Sequence, residues 1–369
     1  MGFSSCIIQT QDEGYALTGK TFTSDASGED IYVVKLDDKG NIKWTKTIGG
    51  KNDQFGNSII QINGGGYAIT GASTSSGPTG EDVYIVCLDI SGNIKCTQTV
   101  GGFNDEVGYF IDQKNDGSFV VTGATTSLGE EEENVYVVKI DSACKVKSKN
   151  AIPGLKYSHG SSIIHTKDGG YAIGGYKEAA PTEHQAVDHF DFSIVKLDSV
   201  GNVQWNKIIG GAGSKSPYSM VQTKDGGYAV TGTIDSASVD KNVYVVKLDA
   251  SGNSQWAKTI GGKNDDIGSA IIQTADGGYA ITGSSKSSGA GGFDVYAIKL
   301  SSSGNITWTK TIGGTGDDQG ASIVQTTDGG YAIGGSTNEY RTVEYKFYAV
   351  KLDADGNLQW EKAIGNENH

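Results

Sequence analysis

The chain has 369 residues, 55 of them glycine and 4 proline, with 18 Tyr and 5 Trp; this evenly mixed composition excludes a disordered or collagen-like chain and points to a turn-dense fold. Thirty basic against 43 acidic side chains leave a net charge of −13, and Arg341 is the sole arginine, so guanidinium clamps on phosphate are excluded and nucleic acid is not an expected partner. No window reaches the roughly 18 consecutive apolar residues of a membrane helix.

One phrase recurs along the chain: S-I-I-Q-T-x-D-G-G-Y-A-I-T-G, followed by D-V-Y-V-V-K-L-D-x-x-G-N-I-x-W-x-K-T-I-G-G. Its central aromatic falls at Tyr15, Tyr67, Phe119, Tyr171, Tyr228, Tyr279 and Tyr331, with spacings of 52, 52, 52, 57, 51 and 52. Self-similarity at a fixed period is the signature of repeat architectures. The units run near 4–50, 56–102, 108–154, 160–211, 217–262, 268–314 and 320–365, so residues 1–369 are expected to form a single domain.

Each unit predicts four strands. Ser-Ile-Ile-Gln-Thr and Gly-Tyr-Ala-Ile-Thr-Gly are β-rich runs joined through Asp-Gly pairs such as Asp225-Gly226, which favour tight hairpins. These are strands A and B. Val-Tyr-Val-Val-Lys-Leu-Asp and Ile-x-Trp-x-Lys-Thr-Ile form strands C and D, joined by Asp-x-x-Gly-Asn turns such as Asp249 to Asn253. No sustained 3.6-residue apolar period appears, so no helix is expected. Four such strands cannot cover both faces of their own sheet, whereas seven sheets arranged radially cover one another. The expected fold is all-β: a seven-bladed β-propeller with four antiparallel strands per blade. Trp360 to Gly365 completes a strand D and Ser4 to Thr10 a strand A, so closure is expected to rest on packing between blades 7 and 1, without a borrowed strand.

The units of about 50 residues, the glycine pairs Gly174-Gly175 and Gly334-Gly335 and the strand D tryptophan resemble kelch-type propellers, although Tyr32 and Trp44 stand further apart than in that family. The whole chain more closely resembles the repetitive G-G-Y-A-I-T-G propellers of bacterial and archaeal surface proteins. That resemblance implies a fold and leaves the activity open.

Repeated residues read first as scaffold. Trp44, Trp205, Trp256, Trp308 and Trp360 recur at one place and are expected to pack between blades. Gln9, Gln61, Gln113, Gln222, Gln273 and Gln325, with His165 in the seventh place, are expected to satisfy backbone groups near the axis. Asp53, Asp105, Asp265 and Asp317 recur in the D–A linkers. They are weak candidates for calcium, and are expected instead to accept hydrogen bonds from amides of their own turns. No other metal or cofactor is expected. Cys6, Cys87, Cys96 and Cys144 lack the C-x-x-C spacing of zinc sites and leave disulfide state and compartment open.

Departures from the repeat are where a site can be grafted. The 177–189 insertion between strands B and C of blade 4 holds His184, Asp188 and His189, and the linker entering that blade holds Tyr157 and His159. Antiparallel strand order places the D–A and B–C connections on one face of the disc. Tyr157, His159, His184, Asp188 and His189 are therefore the candidate binding residues, with Glu130–Glu133, Tyr340 and Arg341 on the same face. The expected function is non-catalytic binding or scaffolding of a protein or glycan, by a monomer. A secreted carbohydrate-active enzyme and a ligand-free structural surface module are the alternatives. If Met1-Gly2 stands where a leader was removed, the expected setting is extracellular or cell-surface; otherwise it is cytoplasmic.

Overall fold

The structure, a computed structural model, describes residues 2–22, 28–50, 52–74, 80–127, 133–157, 160–178, 190–235, 240–339, 342 and 344–365. Among these there is no helix, and seven four-stranded sheets each follow sequence order. Blade 1 is formed by strands A (Gly2–Gln9), B (Tyr15–Phe22), C (Glu29–Leu36) and D (Ile42–Ile48), paired antiparallel. The strands of blades 2 to 7 begin at Gln54, Glu106, Gly160, Ser214, Asp266 and Asp318 in turn. No sheet takes a strand from the opposite terminus. Instead the ring closes side to side, with the Ile7 amide donating to Ser322 Oγ at 3.3 Å and the Thr327 amide to Gln9 Oε1 at 2.8 Å.

Burial follows position in the blade. Strands B and C lie between neighbouring blades and are buried nearly throughout, which explains their continuous apolar runs. Strand D forms the rim and alternates exposed with half-buried residues. Each hydrophobic cluster spans two adjacent blades; one joins Ala229, Val243 and Val245 to Ile271, Tyr279 and Ile298. The seams between blades are thus the core of the molecule.

A regular seam has three devices. Strand C lysine and strand D tryptophan are cross-strand partners, as Lys247 and Trp256 are, and share the face turned toward the next blade. The indole of Trp256 meets Tyr279 edge-on at 5.5 Å and lies over Gly304 of the following blade. A Cβ on Gly304 would come within 2.8 Å of that ring, and its φ of +78° suits glycine. Beneath, the buried Lys247 donates to Leu248 O and reaches Asp225 at 2.9 Å. Matching ion pairs join Lys35–Asp12, Lys196–Asp168, Lys299–Asp276 and Lys351–Asp328. The third device is the glutamine ring near the axis. Gln61, Gln113, Gln222, Gln273, Gln325 and Gln9 accept from the amides of Gln11, Asn63, Lys167, Lys224, Ala275 and Thr327 of the preceding blade, at 2.7–2.9 Å.

Candidate functional site

Strand A of every blade faces the axis and encloses a channel of about 690 Å³. Four places before the strand A glutamine, blades 1, 2, 6 and 7 carry Ser5, Asn57, Ser269 and Ala321, whereas blades 3 and 5 carry Tyr109 and Tyr218. The next position adds Phe110, where other blades carry Cys6, Ser58 and Ala270. Phe110 and Tyr218 keep 38% and 42% of their surface exposed, so aromatic area stands open in the channel. A charged set lies nearer the A–B turns: Asp112 replaces the usual aliphatic residue and pairs with Lys114 at 3.4 Å. His165 lines the same channel. Its ring stands edge-on to Tyr171 at 5.6 Å, and burial, reinforced by the Lys114 charge, holds its pKa below the usual histidine range.

Tyr218 also borders a second cavity of about 350 Å³ with Phe3, Phe293 and Gln319. This widens the aromatic surface over blades 5 and 6 and, across blade 7, to Phe3 of blade 1. A third cavity, about 650 Å³, lies over blade 7. There Tyr348 donates to Glu361 at 2.6 Å, and burial together with that carboxylate pushes the phenol pKa up.

Paired carboxylates are present at two seams. Asp82 and Glu106 flank the Gly101-Gly102 linker, and Asp294 and Asp318 flank Gly313-Gly314. Burial, then the neighbouring acid, raises the pKa of Asp82 and of Asp294. Glu106 accepts from Gly102 N and Thr125 Oγ1, and Asp318 from Gly314 N. The four side chains are almost fully buried. They brace linkers and present no surface to a substrate.

Tyr157 closes strand D of blade 3, its backbone paired with Glu133. Its side chain, and residues His159, His184, Asp188 and His189, lie outside the described residues, as do Glu130–Glu132, Tyr340 and Arg341. Each linker aspartate differs from expectation in its partner. Asp53, Asp105, Asp265 and Asp317 accept from the amides of Glu29, Glu81, Lys241 and Phe293 at 2.7–3.0 Å. Those amides lie at the start of strand C in the preceding blade, not in the aspartate's own turn. The four carboxylates therefore pin four different seams, each fixing the path from one blade to the next.

Sequence reasoning missed the channel aromatics. The signal was available, because Tyr109 and Tyr218 break a register otherwise filled by small residues.

No protein-family model matches the chain. The regulatory protein FlaEY of Caulobacter vibrioides is 27% identical over 161 residues, covering 36% of this chain and 17% of FlaEY. The chain thus spans a small part of that relative. Among solved structures, puromycin hydrolase aligns over 99% of this chain and 54% of its own, with a TM-score of 0.59 and 13% identity. The WD40 domain of Neurospora crassa Pan2 aligns over 90% of this chain and 86% of its own, with a TM-score of 0.56 and 11% identity. At such identities these likenesses define the fold alone: a seven-bladed β-propeller.

Proposed function

We propose that the chain is a non-catalytic binding propeller of the repetitive, kelch-like G-G-Y-A-I-T-G kind, which captures a protein or glycan segment at the mouth of its axial channel. The observation that carries this reading is the aromatic set of Tyr109, half-buried, with Phe110 and Tyr218, both exposed, standing where other blades place small residues. Open aromatic faces beside Asp112 and His165 offer stacking area and hydrogen-bonding groups together, in a cavity within the range of about 300–1,000 Å³ usual for ligand sites. The irregular connections of blades 3 and 4, with Tyr157, His159, His184, Asp188 and His189, extend the contact surface in this reading.

The test is a glycan and peptide array probed with the intact chain. Tyr109→Ala combined with Tyr218→Ala should abolish capture while leaving the thermal transition within a few degrees of the parent, because both side chains face the channel and not a seam. Capture that survives the pair would reject the channel. Turnover of a polysaccharide by the same preparation would favour the carbohydrate-active alternative.

A further inference from the structure

The seam between blades 2 and 3 keeps the Gln113 acceptor for the Asn63 amide but loses the lysine–aspartate pair, the tryptophan and the glycine the indole lies over. The strand C lysine is replaced by Cys87, and its aspartate partner in the A–B turn by Gly64. The strand D tryptophan is replaced by Cys96, directly across the strand pair from Cys87. The glycine of the following blade, over which an indole would lie, is replaced by Cys144. The three cysteines, from two blades, thus converge on one point. The sulfur atoms of Cys87, Cys96 and Cys144 all lie within 4.8 Å of one another.

We propose that these three cysteines form a thiolate site for a soft monovalent cation, Cu(I), which ties blade 2 to blade 3 where the tryptophan is lost. A metal–sulfur bond of about 2.3 Å in a trigonal plane places the sulfurs about 4 Å apart, inside the observed envelope. Thiolates select Cu(I) over harder ions. Structural zinc wants four protein donors, and among the described residues the cluster offers three, with no histidine or carboxylate joining them. Cys87 and Cys144 are buried beside Ala68, Val138 and Ile140, and Cys96 is half-buried at the edge. That arrangement leaves one side open for the ion to enter.

Cys144 keeps the left-handed φ, +66°, of the turn glycines it replaces, such as Gly92 and Gly252, so the turn itself sets its backbone. Cation binding displaces the thiol protons to solvent.

The experiment titrates the reduced full chain anaerobically with Cu(I) against a chromophoric chelator, and records X-ray absorption at the copper edge. One equivalent should bind with a shell of three sulfurs. Cys87→Ser or Cys144→Ser should weaken binding by more than about 100-fold, beyond the loss of an outer-sphere partner, while Cys6→Ser, a channel residue, leaves it unchanged. Because serine could unfold this seam, a second variant writes the scaffold back: Cys96→Trp with Cys144→Gly should fold at least as stably and take up no Cu(I). Absence of stoichiometric uptake, uptake that survives the restored pair, a preference for Zn(II), or a Cys87–Cys96 disulfide that persists in mild reductant would each overturn the proposal.

Discussion

The seam between blades 5 and 6 and the seam between blades 3 and 4 have the same backbone topology and different chemistry. At the first, Trp256 stands cross-strand from Lys247 and lies over Gly304, Gln273 accepts from the Lys224 amide, and Asp265 accepts from the Lys241 amide. At the second, Ser148 stands in the tryptophan place, His165 in the glutamine place and Tyr157 in the aspartate place. The consequence is visible in the lysine. Lys139, cross-strand from Ser148, is exposed, whereas Lys247, cross-strand from Trp256, is buried. Among the described residues, what joins blades 3 and 4 is the apolar cluster of Val120, Val135, Ile163 and Tyr171, together with the Thr122 Oγ1 bond to Ile163 O at 3.4 Å. Apolar burial thus does most to preserve the blade's place in the ring here, while a larger set of directional contacts fixes the regular seams.

The largest expected effect is removal of an indole from a regular seam. Trp256→Ala leaves a hole against Tyr279, at a cost of about 3 kcal/mol. Ser148→Ala removes nothing comparable and should cost under about 0.5 kcal/mol. Equal costs in urea unfolding would erase the distinction between the seams. The converse substitution sharpens it: Tyr171 and Gly201, the edge partner and the turn glycine, are both still in place in blade 4. Ser148→Trp should therefore stabilise by about 1 kcal/mol and slow exchange of the blade 3 and 4 amides in hydrogen-exchange mass spectrometry.

Acid should act unevenly around the ring. Burial would raise Asp168, Asp225, Asp276 and Asp328, but hydrogen bonds from the lysine, the threonine and a glycine amide outweigh it and hold each carboxyl at about 2. A carboxylate depressed below its unfolded value of about 4 stabilises the fold above that value, and the contribution is lost as pH falls from about 4 to 2. These aspartates are half exposed, so each contribution is modest. Blade 2 lacks the pair, having Gly64 and Cys87. Exchange measured between pH 4 and 2 should rise in the A–B turns of blades 4 to 7 and stay level in that of blade 2; a uniform rise would contradict the assignment.

The fold was legible because the repeat is a physical necessity written seven times: a blade with two apolar faces needs a neighbour on each side. The tryptophan, glutamine and tyrosine registers revealed the seam devices directly. The site was less legible, because the sequence was read for insertions and histidines, and a channel is lined by residues that change identity without changing spacing. Tyr109 and Tyr218 alter no length. The cysteines were hidden for a related reason: Cys87, Cys96 and Cys144 were compared with a zinc spacing rule, when their meaning lies in the lysine, tryptophan and glycine they replace. The linker aspartates carried the right chemistry to the wrong amide, since local turn rules do not see the preceding blade.

The smallest effect tests the comparison at a single hydrogen bond. In register, a glutamine at the His165 place would accept from the Asn115 amide, as Gln113 accepts from Asn63 at 2.8 Å. His165→Gln should supply that acceptor and lose the edge contact with Tyr171, two terms of about 0.5–1 kcal/mol each and opposite sign. Global stability should therefore move by less than about 0.5 kcal/mol, and the informative readout is local. Exchange of the Asn115 amide should slow in His165→Gln, while Gln273→Ala should speed exchange at Lys224 by removing the acceptor it now uses. If Asn115 exchange is unchanged, the axial ring is interrupted between blades 3 and 4 by the spacing of the strands and not by the histidine.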